Sequence, residues 1–123
     1  MECSGVTLAK SHLEGLGAFA KKNFTPGEII EEGVARVLTN VDGHENPILF
    51  TWSDDIPNHK WAILSGCSHF YNTSLEPNTQ LIRDFHHNTF KFKAVKNIHK
   101  GEELTHRYKS LAWRKCFTQL NIL

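Results

Sequence analysis

The clearest periodicity in the chain is the alternation in "NTFKFKAV", residues 88–95. Phe90, Phe92 and Ala94 fall on one side of an extended segment, and Lys91 and Lys93 on the other. That is the pattern of a strand with one buried and one solvated face. Shorter apolar or alternating runs, "VTLA", "IIEEGVARVLT" and "ILFTW", are separated by clusters of Gly, Pro, Asn and Asp, the punctuation of a small β protein. Two turns share a design. "FTPGEII" puts Pro26 and Gly27 where a type II turn needs a fixed φ and then a positive one. "IHKGEEL" again sets a glycine, Gly101, before glutamate and an apolar strand. Helices are expected around "KWAILSG" and in the tail, "SLAWRKCFTQL", where Leu111, Lys115 and Thr118, or Leu120, Trp113 and Phe117, keep part of a helical period. Glu28, Glu31 and Glu32 read as a solvated acidic face, the other reading being attraction of a basic peptide. No repeat, low-complexity tract or linker interrupts the chain, so residues 1–123 are expected to form a single domain.

Composition narrows this picture mainly by exclusion. With 123 residues there is room for one modest core, and a hydrophobic share of 40% is too high for disorder. A formal charge of +1 offers no electrostatic ground for binding nucleic acid or an acidic membrane. The first residues show no basic stretch followed by an apolar one, and no apolar run approaches the ~20 residues that span a bilayer. The sequons at Asn23 and Asn72 are therefore expected to stay unmodified. Cys3, Cys67 and Cys116 are odd in number and widely spaced, which argues against a disulfide scaffold and against a CxxC zinc site. An intracellular, reduced protein is expected. His86 and His87 are adjacent, so in a strand they point apart, and the other histidines are scattered; no metal site is expected.

The candidate chemistry lies in segments that share an order. "EGLGAFAKKNFTPGEIIEE" spans 14–32, "FYNTSLEPN" spans 70–78, "FKFKAVKNIHKGEELTHRY" spans 90–108, and Trp113 follows. Together they resemble the SET domain of protein lysine methyltransferases, whose members carry a G-x-G-x-F-A segment, an N-H-S-x-x-P-N segment and a G-E-E-L-T-x-x-Y segment in this order. The resemblance covers most of the chain, with 34–66 matched weakly. In length, and in lacking flanking zinc-binding regions, the chain resembles the stand-alone chlorella-virus SET histone methyltransferase.

The resemblance implies a mainly β fold, the SET-domain β-clip with a C-terminal pseudoknot and a few short helices. It implies S-adenosylmethionine as cofactor and the side-chain amine of a protein lysine as acceptor. Gly15, Leu16, Gly17, Ala18 and Phe19 would lie against the cofactor, the glycines allowing close backbone approach. The side chain of Asn72 would contact the methionine moiety, Thr73 would meet the adenine through its backbone, and Pro77-Asn78 would shape the return of the chain. Tyr108 would be catalytic, its hydroxyl helping to align a neutral amine with the methyl group. Trp113 would cover the adenine or, nearly as well, anchor a helix. Phe50, Trp52 and Tyr71 would line the substrate channel. A lysine-bearing protein or peptide is the implied partner, a histone tail the leading case, with a homodimer the leading assembly and the nucleus the place if the substrate is a histone.

Departures from the family pattern define a rival. Thr73 stands where the family has His, His69 where many members have Arg, and Lys109 where Gly is common. The chain holds only two tyrosines, whereas active members line the channel with several. These features suit a catalytically weak or inactive SET domain that binds peptide or cofactor as an interaction module.

Overall fold

Thr89–Ala94 forms a strand whose parity is the expected one: Phe90, Phe92 and Ala94 are buried and Lys91 is exposed. The computed structural model describes residues 2–11, 13, 15–39, 41, 49–53 and 60–107. In chain order its strands are β1 (Glu2–Cys3), β2 (Val6–Lys10), β3 (Leu16–Ala20), β4 (Ile29–Leu38), β5 (Phe50–Thr51), β6 (Trp61–Leu64), β7 (Asn72–Thr73), β8 (Thr79–Asp84), β9 (Thr89–Ala94) and β10 (Glu103–His106). They form two five-stranded sheets, ordered β1-β2-β3-β10-β7 and β5-β6-β4-β9-β8. The fold is mainly β, as expected. The expected helical tail and the pseudoknot it would complete lie largely beyond residue 107, outside the described residues.

Both Gly-Glu turns form as read. Gly27 and Gly101 take φ of 95° and 90°, the left-handed region that glycine enters without a Cβ penalty. The same capping device follows each: Glu28 Oε1 accepts from the Thr25 N–H at 2.9 Å, and Glu102 Oε1 accepts from the His99 N–H at 3.0 Å. A bridge between Phe24 and Ile98 sets the two turns side by side.

Three expectations are corrected. "KWAILSG" is not helical: Trp61–Leu64 is β6, antiparallel to both β4 and β5, and the only helical turn among the described residues is the 3-10 turn Ser68–Phe70. A four-residue apolar run carries too little periodicity to separate strand from helix, and pairing on both edges decides it. Cys67 is disulfide-bonded, against the reading of reduced thiols; spacing along the chain does not measure which cysteines meet in space.

The third correction is Glu31, expected on a solvated face and found only 3% exposed. The register of β4 against β9 shifts between Ile29 and Glu31: Ile29 faces Lys93, and Glu31 faces Phe92. This bulge inserts Ile30 as an extra residue, so Ile30 and Glu31 are both buried and the alternation beyond them changes parity. Glu31 Oε1 accepts from the Tyr71 hydroxyl at 2.9 Å and Oε2 from the Cys67 N–H at 2.8 Å. The Tyr71 ring stacks on Phe92 with centroids 3.9 Å apart. A buried carboxylate thereby ties the second sheet to the segment that leads into β7.

Candidate active site

β10 organises the site, because it inserts between β3, to which it is antiparallel, and β7, to which it is parallel. Parallel partners come from distant parts of a chain, so something must hold β10 in place. Asn78 does so. Its Nδ2 donates to the Glu103 carbonyl at 2.9 Å, and its Oδ1 accepts from the Thr105 N–H at 2.9 Å. Thr79 Oγ1 adds a bond to the Thr105 carbonyl at 2.7 Å. The "PN" of the second motif is a side-chain ladder that substitutes for a strand beside β10.

At the start of β10, three polar side chains meet. Ser11 Oγ donates to the Glu103 carboxylate, 2.9 Å from Oε1 and 2.7 Å from Oε2. Asn72 Nδ2 donates to Glu103 Oε2 at 2.9 Å and to Ser11 Oγ at 3.0 Å. Gly17 borders them. A Cβ built on Gly17 would sit 2.6 Å from Glu103 Oε2 and 3.0 Å from Ser11 Cβ, so the glycine makes room for the carboxylate. Gly15 instead holds a positive φ of 54° with open space around it.

The candidate residues thus separate into groups. Gly17, Ala18, Phe19, Asn72 and Thr73 all lie on strands paired with β10: Ala18 faces Leu104, Phe19 faces Glu103, Asn72 faces Thr105 and Thr73 faces His106. Ala18 is fully buried, whereas Leu16 is 54% exposed at the mouth of the strand. Phe50 and Tyr71 pack around buried His106, with ring centroids 6.0 and 6.3 Å from it. Trp52 stands apart, its Nε1 donating to Asn88 Oδ1 at 2.9 Å and its ring edge-on to Phe85. Tyr108 and Trp113 lie outside the described residues.

Sequence reasoning missed Ser11 and Glu103 as site residues. Glu103 sits inside the recognised "GEEL" segment, where it read as the opening of a strand, and Ser11 carries no local signal. Among the buried titrating groups, Glu31, Tyr71 and His106 are displaced from their ordinary values, Tyr71 upward through burial and the neighbouring Glu31. Burial pushes the Glu31 carboxyl up, with the bonds from Cys67 and Tyr71 acting against it. Burial, reinforced by the positive charge of Arg83, lowers His106 to about 3, so its imidazole is neutral.

A mainly β fold with this strand insertion and a polar cluster at the junction defines the class, and the profile of the SET domain family matches residues 15–109. The chain belongs to the SET domain family. Among solved structures it is similar to a candidate histone methyltransferase from Plasmodium falciparum, with a TM-score of 0.69 and 24% identity over 92% of this chain and 99% of that one. It is similar also to a humanized mutant of the Chaetomium thermophilum Polycomb Repressive Complex 2 bound to the inhibitor GSK126, with a TM-score of 0.71 and 28% identity over 89% of this chain. The structure of ctPRC2 in complex with H3K27me3 and H3K27M gives a TM-score of 0.68 and 25% identity over 87% of this chain. This chain spans only about 15% of the matched chain in either complex structure. A comparison with curated proteins gave no match. Family and neighbours support lysine methyltransferase activity in general, and SET methyltransferases use S-adenosylmethionine.

Proposed function

We propose that this chain transfers a methyl group from S-adenosylmethionine to the side-chain amine of a protein lysine, with a histone tail the leading substrate. The observation that carries this reading is the fixed Asn72 amide, set beside the Gly15–Phe19 segment at the junction of β3, β7 and β10. The residues present fit the amino-acid end of the cofactor: an oriented amide, a carboxylate and a glycine-lined strand. When bound, the cofactor supplies an electrophilic methyl group on a sulfonium centre. The chain's own residues must then exclude water and deliver the amine uncharged and in line. Lysine in water has a pKa of about 10.4, so an apolar approach that favours the neutral amine is required. Phe50, Phe92 and neutral His106 supply buried apolar and aromatic surface next to β10. In this reading Tyr108 aligns the amine.

The histone-methyltransferase neighbours support a histone tail, and so does the resemblance, read from sequence motifs alone, to the chlorella-virus enzyme. That likeness also favours a homodimer, and a histone substrate places the protein in the nucleus. No nucleic-acid or membrane partner is part of this reading.

Calorimetric titration with S-adenosylmethionine tests the pocket. Wild type is expected to bind, and Asn72→Ala to weaken binding by about tenfold or more, the effect of losing a well-placed hydrogen-bonding group. Unchanged affinity in Asn72→Ala would remove the assignment. Tyr108→Phe is expected to leave cofactor affinity intact and lower methyl transfer to a peptide library by about a hundredfold, the size of an interaction made in the transition state.

One observation favours the rival reading of a weakly catalytic binding module. The Tyr71 hydroxyl is spent on Glu31, inside the core. Only two tyrosines are in the chain, so Tyr108 alone is left to offer a phenol to the amine. Cofactor binding by wild type with no transfer to any lysine peptide would decide for the module.

A further inference from the structure

We propose that the two turns joined by the Phe24–Ile98 bridge form a docking face for the phosphodiester backbone of a nucleic-acid duplex, read by charge and not by sequence. This goes beyond the reading above and does not depend on it, since none of the charged residues involved belongs to the cofactor junction. The segment "KFKAVKNIHK", residues 91–100, holds four lysines and no acid. Its second half forms the turn that lies beside "AKKNF", the turn following β3. Phe24 and Ile98 exchange both N–H···O bonds, at 2.8 and 2.9 Å. The Lys100 N–H donates to Asn23 Oδ1 at 2.7 Å, and the Gly101 N–H to the Ala20 carbonyl at 2.8 Å. Lys21, Lys22, Lys96, His99 and Lys100 are thereby gathered on these two turns, and all five are exposed. Lys21 and Lys100 border one shallow hollow, and Lys21 and Lys22 a second.

The carboxylates that share these turns do not cancel this charge at the surface. Glu28 and Glu102 are only partly exposed and are turned back onto the chain. Glu28 Oε1 accepts from the Thr25 N–H and hydroxyl at 2.9 and 2.8 Å, and Glu102 Oε1 from the His99 N–H at 3.0 Å. Lys22 comes no nearer to Glu28 than 3.9 Å, an exposed pair of little strength. Charge is therefore separated by depth, with carboxylates beneath and ammonium groups outside. The formal +1 of the chain is a sum over every face, whereas a polyanion meets one face at a time. Lysine without arginine suits a row of phosphates. An ammonium is a point charge on a flexible stem, while a single phosphate or carboxylate is better gripped by the planar fork of arginine. A duplex presents one charge for about every 1.7 Å of its axis, so lysines from two adjacent turns reach phosphates without a fixed geometry. An acidic peptide fits less well. Extended peptides gain affinity by pairing with a free strand edge, and here the backbone around the turns is already paired. The Gly27 N–H donates to the Ala94 carbonyl at 2.8 Å and the Ala94 N–H to the Glu28 carbonyl at 2.9 Å, in addition to the Phe24–Ile98 bonds.

The test is fluorescence anisotropy with the full chain and a labelled DNA duplex of mixed sequence, titrated at several salt concentrations. Wild type is expected to bind at about 50 mM salt with a Kd of about 1–100 μM. The logarithm of the binding constant should fall against the logarithm of salt with a slope of about −2 to −4, about 0.9 for each phosphate neutralised. Lys96→Gln combined with Lys100→Gln is expected to weaken binding about tenfold and to make the slope shallower by about 2. The matched control is Arg36→Gln combined with Lys60→Gln. It removes the same charge at the far end of β4, where Leu38 faces Trp61, and is expected to change affinity by less than about twofold. Equal loss in the two double variants overturns the inference, because it marks an effect of net charge alone. Absence of binding by wild type at about 50 mM salt also overturns it. So does tighter binding of a labelled polyglutamate of equal charge, which would make the face a site for acidic peptides. These last two outcomes are read on wild type and decide even where a variant fails to fold. No arm needs the cofactor, so failure here leaves the methyl-transfer reading standing.

Discussion

Glu31→Ala is expected to cost about 3 kcal/mol of stability, read from the midpoint of denaturant unfolding. The substitution leaves two buried groups without their acceptor, the Tyr71 hydroxyl and the Cys67 N–H, each worth about 1–3 kcal/mol when stranded. It also opens space under the Tyr71–Phe92 stack. Glu31→Gln is expected to cost less, since an amide keeps one acceptor for the Cys67 N–H. The two variants separate further with pH. Burial raises the Glu31 carboxyl in the fold, so the native state binds this proton more tightly than the unfolded chain. Its contribution to stability is fully present below the unfolded value of 4.5 and is lost as pH rises through the raised folded value. His106 acts in the opposite sense. Lowered from 6.5 to about 3, it contributes stability above 6.5 that is lost as pH falls toward 3. A thermal melt from pH 4 to 8 should show Glu31→Gln rising in stability relative to wild type as pH increases. A difference that is flat with pH would mean that the carboxylate is not buried as described.

Glu31 also marks the boundary of what the sequence makes legible. The parity of Phe90, Phe92 and Ala94 identifies a strand because each position is judged by its immediate neighbours. The two Gly-Glu turns are equally local, since positive φ at Gly27 and Gly101 is demanded within four residues. The β4 bulge is not local. Whether Ile30 is an extra residue depends on how β4 registers with β9, some 60 positions on, and without that register the "IIEE" run reads as apolar inside and acidic outside. "WAIL" fails for the same reason, since its partners β4 and β5 decide its state. At the site, Asn72 was recognisable because its motif is compact. Glu103 and Ser11 are 92 positions apart and meet only once β10 is inserted. Hydrogen-bond partnerships of that range leave no periodicity for a single sequence to display.

That insertion gives the second large effect. Asn78→Ala is expected to cost about 3 kcal/mol and, in the folded fraction that remains, to weaken S-adenosylmethionine binding, because the residue holding β10 is also the one that sets the Asn72–Glu103 geometry. The truncation removes the donor to the Glu103 carbonyl and the acceptor for the Thr105 N–H, and Asn78 is only 8% exposed, so water replaces neither bond without opening the junction. Asn78→Asp distinguishes this staple from simple packing. The introduced carboxylate keeps an acceptor for the Thr105 N–H, but it loses the donor and sets negative charge against the Glu103 carbonyl. Protonation restores an O–H that donates to the same carbonyl. The folded state therefore raises the pKa of the introduced acid above its ordinary value of about 3.9. The penalty of Asn78→Asp should accordingly be small below about pH 4 and grow as pH rises, whereas that of Asn78→Ala, measured relative to wild type, should not move with pH. A side chain that merely filled space would give Asn78→Asp no such dependence, since asparagine and aspartate are nearly the same size. Because β10 runs from Glu103 to His106 and leads into Tyr108, loss of this one amide loosens the cofactor junction and the approach to the catalytic candidate together.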